Sequence, residues 1–291
     1  MFLRVIGLVL LSFTVSSTSS SVEPDWSYFG STGPQHWSEI GYPDCGKTKQ
    51  SPIDIREVVI PDVPLPPIQC TDDWDVIRPM SIIYNGHTVK VTLDGTYRST
   101  GGMLPSEYVA EQLHFHWGSS NDIGSEHTIA KSSYPAEMHI VHYSSEFNSV
   151  EEAMESDQGL AVFAFFISLG EKNTVMEQIV KEIKGIEFDV SKDLESEVNL
   201  LSLVPLLDQS SYWTYNGSLT TPPCYESVVW TIFQIPIVIS VEQLEQFRSL
   251  NNLRYPLRVV NNFRPPTGSS SNDRQVVYQE IAGVESTTQQ P

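Results

Sequence analysis

The sequence predicts a mostly β chain with short helices, an α+β protein of one domain, and three observations carry that reading. Runs of strand character outnumber runs of helical spacing. The 19 prolines and 17 glycines are scattered, which suits a turn-rich β fold better than a helical bundle. Leu160 to Leu169 is a nearly continuous apolar run between Gly159 and Gly170, the pattern of a strand buried on both faces.

The elements follow in chain order. Residues 1–21 read as a secretory signal: Arg4 is the basic start, Val5 to Val15 is an apolar run too short to span a bilayer, and the small residues after it offer several cleavage points. One domain is expected over 23–281, followed by a polar tail at 282–291. Ile82 to Tyr84 and Val89 to Leu93 flank Asn85-Gly86 as strand, turn and strand. Tyr108 to Trp117, Ala136 to Tyr143 and Glu226 to Ile235 read as strands, Thr174 to Ile183 and Val241 to Leu250 as helices. Ser240 and Gln243 have capping-box spacing before the second helix. No other apolar run is long enough to cross a membrane and the tail is polar, so no membrane anchor is expected.

The net charge of −19, from 17 basic and 36 acidic residues, argues against nucleic acid as a partner, because too few cations are present to neutralise phosphates. The same charge keeps a surface soluble and self-repelling. A weak association with calcium or mineral is the sharper expectation it allows, although no EF-hand spacing is present. A secreted chain permits disulfides. Of three cysteines, Cys45, Cys70 and Cys224, two at most can pair within the chain, and composition does not choose which. Asn216-Gly217-Ser218 is a glycosylation acceptor by pattern.

Gln112-Leu113-His114-Phe115-His116-Trp117 carries the chemistry. Residues i and i+2 of a strand face one side, so His114 and His116 project together, with Gln112 on the same face. A catalytic zinc site takes three protein ligands and keeps one position open. The segment Ala136 to Tyr143 offers His139 or His142, which have opposite parity, and parity alone does not choose. His139 follows Glu137 by two residues, as His114 follows Gln112, and a polar group that fixes the ring of a metal-bound histidine favours His139.

These residues resemble those of the α-carbonic anhydrases. The resemblance runs through Gly33-Pro34-Gln35-His36-Trp37, Gln50-Ser51-Pro52-Ile53-Asp54-Ile55, Asn85-Gly86-His87, Gln112 to Gly118, Gly124-Ser125-Glu126-His127-Thr128, Glu137 to His142, Tyr212 to Pro223 and Asn261-Asn262-Phe263-Arg264-Pro265. It implies a single domain around a large twisted, mostly antiparallel sheet. It also implies an enzyme that hydrates carbon dioxide reversibly to bicarbonate and a proton, by zinc-hydroxide attack with a histidine proton shuttle. By resemblance His114, His116 and His139 hold one zinc ion per chain, with Gln112 and Glu137 behind them. Thr220 orients the hydroxide and donates to Glu126. Val141, Val162, Leu219 and Trp230 form the apolar wall that holds a nonpolar substrate, and Thr221 is a further substrate-binding residue. His87 is the shuttle, with Tyr28 and Asn85 ordering water beside it.

One departure stands out: Lys90 occupies a position where the fastest members carry a neutral amide, and a cation near His87 lowers its pKa. The resemblance makes His127 and His142 buried structural histidines, and His36 structural or superficial. It pairs Cys45 with Cys224, as in extracellular members, and leaves Cys70 to be buried or to link two chains. A catalytically silent binding protein is the competing reading. Silent members lose a zinc histidine, and all three are present.

Overall fold

The computed structural model describes residues 25–195, 197–204, 211–252, 257–268 and 275–280. The expected signal at 1–21, the tail at 282–291 and both ends of the expected domain, 23 and 281, lie outside the described residues.

Eight strands build the scaffold: β1 (Ser81–Tyr84), β2 (Val89–Thr92), β3 (Tyr108–Trp117), β4 (Ala136–Ser144), β5 (Leu160–Leu169), β6 (Tyr212–Gly217), β7 (Val228–Ile239) and β8 (Val277–Gln279). They pair in the order β1-β2-β3-β4-β5-β7-β6-β8, within an eleven-stranded sheet completed among the described residues by Gln69–Cys70, Arg98–Thr100 and Lys192–Asp193. The neighbours are antiparallel except β5 and β7, which run parallel. The sheet is therefore mostly antiparallel and mixed at its centre.

Period-2 alternation divides this sheet into two unlike faces. Leu113, Phe115 and Trp117 of β3, Met138 and Ile140 of β4, and Phe163 and Phe165 of β5 point to the larger core. That core is covered by helices α1 (Met176–Ile183) and α2 (Val241–Arg248), through Ile179, Ile183, Leu244 and Phe247. Val141, Val162, Ala164, Phe166, Trp230 and Ile232 point the other way and pack with Ile53, Ile55 and Tyr215. β5 supplies both clusters, which is why its sequence lacks alternation.

The element ends differ from the pattern for local reasons. β7 does not stop at Ile235 before Pro236. Its register against β5 shifts between Phe233 and Ile237, so an irregular stretch absorbs the proline, which has no N–H for the ladder, and pairing resumes at Ile237 with Ile167. α1 begins at Met176, after Asn173 Oδ1 has accepted the N–H groups of Val175 (3.0 Å) and Met176 (2.9 Å). α2 carries the expected capping box between Ser240 and Gln243. Between β1 and β2, Asn85 Oδ1 accepts the N–H groups of His87 and Thr88. Gly86 has φ +87° there, and a Cβ on it would lie 2.8 Å from the Phe188 ring.

Candidate metal centre

Cross-strand register places the site residues. His114 lies directly opposite His139 across β3 and β4, and His116 opposite Glu137. Opposed residues of an antiparallel pair share a face, so the three imidazoles converge. Their ring centroids are 5.0, 5.2 and 4.7 Å apart, and one ring nitrogen from each lies within 4.8 Å of the others.

The outward nitrogen of each ring has a fixed acceptor. His114 Nδ1 donates to Gln112 Oε1 at 3.0 Å, His116 Nδ1 to the carbonyl of Asn262 at 2.8 Å, and His139 Nε2 to Glu137 Oε1 at 2.7 Å. An acceptor on one nitrogen puts the proton there and leaves the other with a lone pair. His114 Nε2, His116 Nε2 and His139 Nδ1 are therefore the atoms that could ligate an ion. His116 Nε2 is buried without a hydrogen-bond partner among the described residues. Burial, then the neighbouring imidazoles and Lys90, holds His114 well below its ordinary pKa, and burial lowers His116 against the pull of Glu126. Neutral imidazoles are the form that binds metal, so this donor set could hold a divalent transition ion.

Glu137 is wholly buried. Burial alone would raise its pKa, but the charge and hydrogen bond of His127, with those of His139, hold it well below the ordinary value. Oε1 lies 2.7 Å from His127 Nδ1, and Oε2 accepts the His127 N–H at 2.8 Å. The Tyr215 hydroxyl bridges His127 Nε2 at 2.8 Å and Ser51 Oγ at 2.9 Å. Gly217 permits this approach, since a Cβ there would lie 2.2 Å from Ser51 Oγ. His127, Glu137 and His139, the second group that could hold an ion, are joined to one another by hydrogen bonds that fix the His139 ring.

Glu126, also fully buried, accepts the Arg264 N–H on Oε1 at 2.8 Å. Its Oε2 lies 3.5 Å from His116 Nε2 and 4.0 Å from His139 Nδ1, with no hydrogen-bond partner among the described residues. Thr220 is buried in the loop after β6, and no hydrogen bond from it to Glu126 is formed. Val141, Val162 and Trp230 lie in one cross-strand row that starts at Gln112. The Trp230 ring centroid is 4.9 Å from that of His139. Leu219 is half-buried against the same apolar cluster, and Thr221 is half-buried beyond Thr220. His87 stacks on Trp26 with ring centroids 3.9 Å apart, and Tyr28 meets it edge-on at 6.3 Å. Burial and then the charge of Glu126 push Tyr28 well above its ordinary pKa, so its hydroxyl stays protonated.

His142, of the other parity, projects to the opposite core. Its ring lies 4.4 Å from Phe163 and 6.0 Å from Trp74, and burial lowers its pKa to about 4. His36 is half-exposed beside Glu39. Cys45 and Cys224 are joined by a disulfide. Cys70 is half-buried and forms no disulfide within the chain. Asn216 is exposed on β6, where its Oδ1 accepts from Gln158 Nε2 at 3.3 Å.

Sequence reasoning gave no role to Asn262, Arg264, Gln50, Tyr215 or Trp26. The first four stand inside the quoted motifs, but their partners lie far away in the chain, 146 residues for the Asn262 contact with His116.

No helix among the described residues is long and apolar enough to cross a membrane. A family model described as eukaryotic-type carbonic anhydrase matches residues 32–280. The chain is 38% identical to human carbonic anhydrase 7 over 83% of its own length and 92% of that protein's. It is 36% identical to carbonic anhydrase 3 of Sus scrofa over 83% and 94%. Against human carbonic anhydrase 12 it is 34% identical over 98% of its own length and 81% of the relative's. With that match, and a mostly β domain holding a buried histidine triad, the chain belongs to the eukaryotic-type carbonic anhydrase family.

Proposed function

We propose that His114, His116 and His139 hold one zinc ion per chain, and that this centre interconverts carbon dioxide and bicarbonate. The observation that carries the reading is the set of three acceptors, Gln112 Oε1, the Asn262 carbonyl and Glu137 Oε1, which leaves the second nitrogen of each ring to face the other two. Bound there, zinc would supply the positive charge that brings the ionisation of a bound water toward neutral pH.

The chain's own groups do the rest. Glu126, anchored by Arg264 N–H, offers Oε2 to the Thr220 hydroxyl, which then orients the attacking water. Val141, Val162, Leu219 and Trp230, with Thr221 at the edge, hold a substrate that has no charge to anchor. His87 takes up the proton released at each turnover and passes it to solvent, with Tyr28 and Asn85 ordering the water between. The reading extends to a secreted protein: a signal at 1–21, a catalytic domain over 23–281 and a polar tail. The Cys45–Cys224 disulfide suits an oxidising compartment and supports that extension.

The test is stopped-flow carbon dioxide hydration, with zinc content measured on the same sample. One zinc per chain, and hydration lost in His116→Ala, is the expected result. One zinc without hydration would overturn the catalytic part.

A further inference from the structure

Lys90 stands directly opposite His114 in the β2–β3 ladder, as Thr92 stands opposite Gln112. Opposed residues of an antiparallel pair leave the sheet on one side, so the Lys90 stem emerges on the face that carries the three imidazoles. Its neighbours Val89 and Val91 point into the larger core, which confirms the alternation. Lys90 is half-buried, and among the described residues no carboxylate lies within ion-pairing distance of its ammonium.

The nearby acidic group is Glu111. It occupies the register irregularity of β3, between the Ala110–His142 and Gln112–Val141 pairs. Its backbone carbonyl accepts from Leu93, and its carboxyl does not close on Lys90. The ammonium shares the face of the three imidazoles and closes no ion pair among the described residues, although its charge is felt by the Glu111 carboxyl. The chain around it carries −19, a field that repels small anions. A cation on this face opposes that field locally, beside the position where a product anion would sit and depart.

We propose that Lys90 is a specificity-determining residue of this cavity, whose ammonium draws bicarbonate and other small monovalent anions to the face carrying His114. The inference rests on the function proposed above and adds a ligand preference to it. A cation near an anion site strengthens binding most at low ionic strength and is screened by salt.

The experiment uses thiocyanate on the zinc-loaded protein, wild type against Lys90→Gln and Lys90→Arg. Affinity is read by calorimetry and, independently, by inhibition of carbon dioxide hydration. Lys90→Gln is expected to weaken thiocyanate about three- to tenfold in dilute buffer, with the difference fading above about 0.5 M salt. Lys90→Arg is expected to keep most of the affinity. Equal thiocyanate affinity in wild type and Lys90→Gln, in a wild type that hydrates carbon dioxide, would overturn the Lys90 inference alone. A wild type that binds thiocyanate with the expected Lys90 dependence but does not hydrate would overturn the enzymatic reading and leave the anion preference standing.

Discussion

Arg264 donates its backbone N–H to Glu126 Oε1 at 2.8 Å, so the carboxylate beside the histidine triad is anchored by a residue 138 positions away. The same residue reaches the disulfide. Its guanidinium donates to the carbonyl of Cys45 at 2.8 Å and to Gln50 Oε1 and the Ser51 carbonyl at 2.9 Å each, and lies 5.3 Å from the Trp37 ring centroid. Gln50 Nε2 in turn donates to the Cys224 carbonyl at 3.1 Å. One buried arginine therefore ties the Cys45–Cys224 brace to the position of Glu126.

Replacing that arginine is the first prediction. Burial lowers Arg264 to a pKa of about 10, which leaves it charged at neutral pH. Arg264→Met strands three buried acceptors and is expected to cost about 3–5 kcal/mol, seen as a lower calorimetric Tm. Arg264→Lys keeps the charge but not the fork, and should recover only part of the loss. If Glu126 depends on this anchor, kcat should fall more than KM rises in Arg264→Lys. A loss confined to Tm would leave Arg264 as a brace only.

Glu137 is the second test. Its Oε1 holds the proton of His139 on Nε2, which would leave Nδ1 for the ion proposed above. Glu137→Gln keeps the shape but puts a weaker acceptor against His139 and His127. Zinc affinity is expected to drop about ten- to hundredfold, measured by competition with a chromophoric chelator. Unchanged affinity would mean that packing, not this carboxylate, sets the ring.

How far the sequence reaches is visible in these two residues. Glu137 was legible, because its polar-x-His spacing repeats that of Gln112 and His114 on a neighbouring strand, and period-2 geometry is local. The two-faced sheet was equally legible from Leu160 to Leu169, whose unbroken apolar run needs a core on each side. Arg264 and Asn262 were not. Their contacts join loops that only the closed sheet brings together, and an arginine before a proline reads as surface until its buried carbonyl partners are seen. The continuation of β7 past Pro236 was hidden for another reason. A proline argues against a central strand, and only the register shift against β5 accommodates it.

His142 gives a stability prediction with a definite sign. Its folded pKa of about 4 lies below the ordinary 6.5. Between those values the unfolded chain binds a proton that the folded chain refuses. Its penalty is absent above about pH 6.5, grows as pH falls toward 4 and then levels off, reaching at most roughly 3 kcal/mol. His142→Phe removes the group while keeping a ring against Phe163 and Trp74. Urea midpoints at pH 7.5, 5 and 4 should fall less steeply in the variant. His114 and His116 are common to both proteins, so the difference isolates His142. Parallel acid limbs would show that His142 is protonated in the fold or relieved by local opening.

His87 is the last. Its ring stacks on Trp26, its N–H is held by Asn85 Oδ1 at 3.0 Å, and its carbonyl accepts from Asn262 Nδ2 at 2.9 Å. Asn262 also presents its own carbonyl to His116, so one side chain and one backbone group fix both the turn and a ligand ring. The turn that carries His87 is thereby tied to Asn262, whose carbonyl also meets the His116 ring. If His87 is the proton carrier proposed above, His87→Ala is expected to lower kcat about tenfold or more in dilute buffer while leaving kcat/KM for carbon dioxide nearly unchanged, since proton export would then limit turnover but not the attack step. Added imidazole should restore part of kcat. If kcat is unchanged in dilute buffer, another group carries the proton, and the stacked His87–Trp26 pair is a packing feature of the turn.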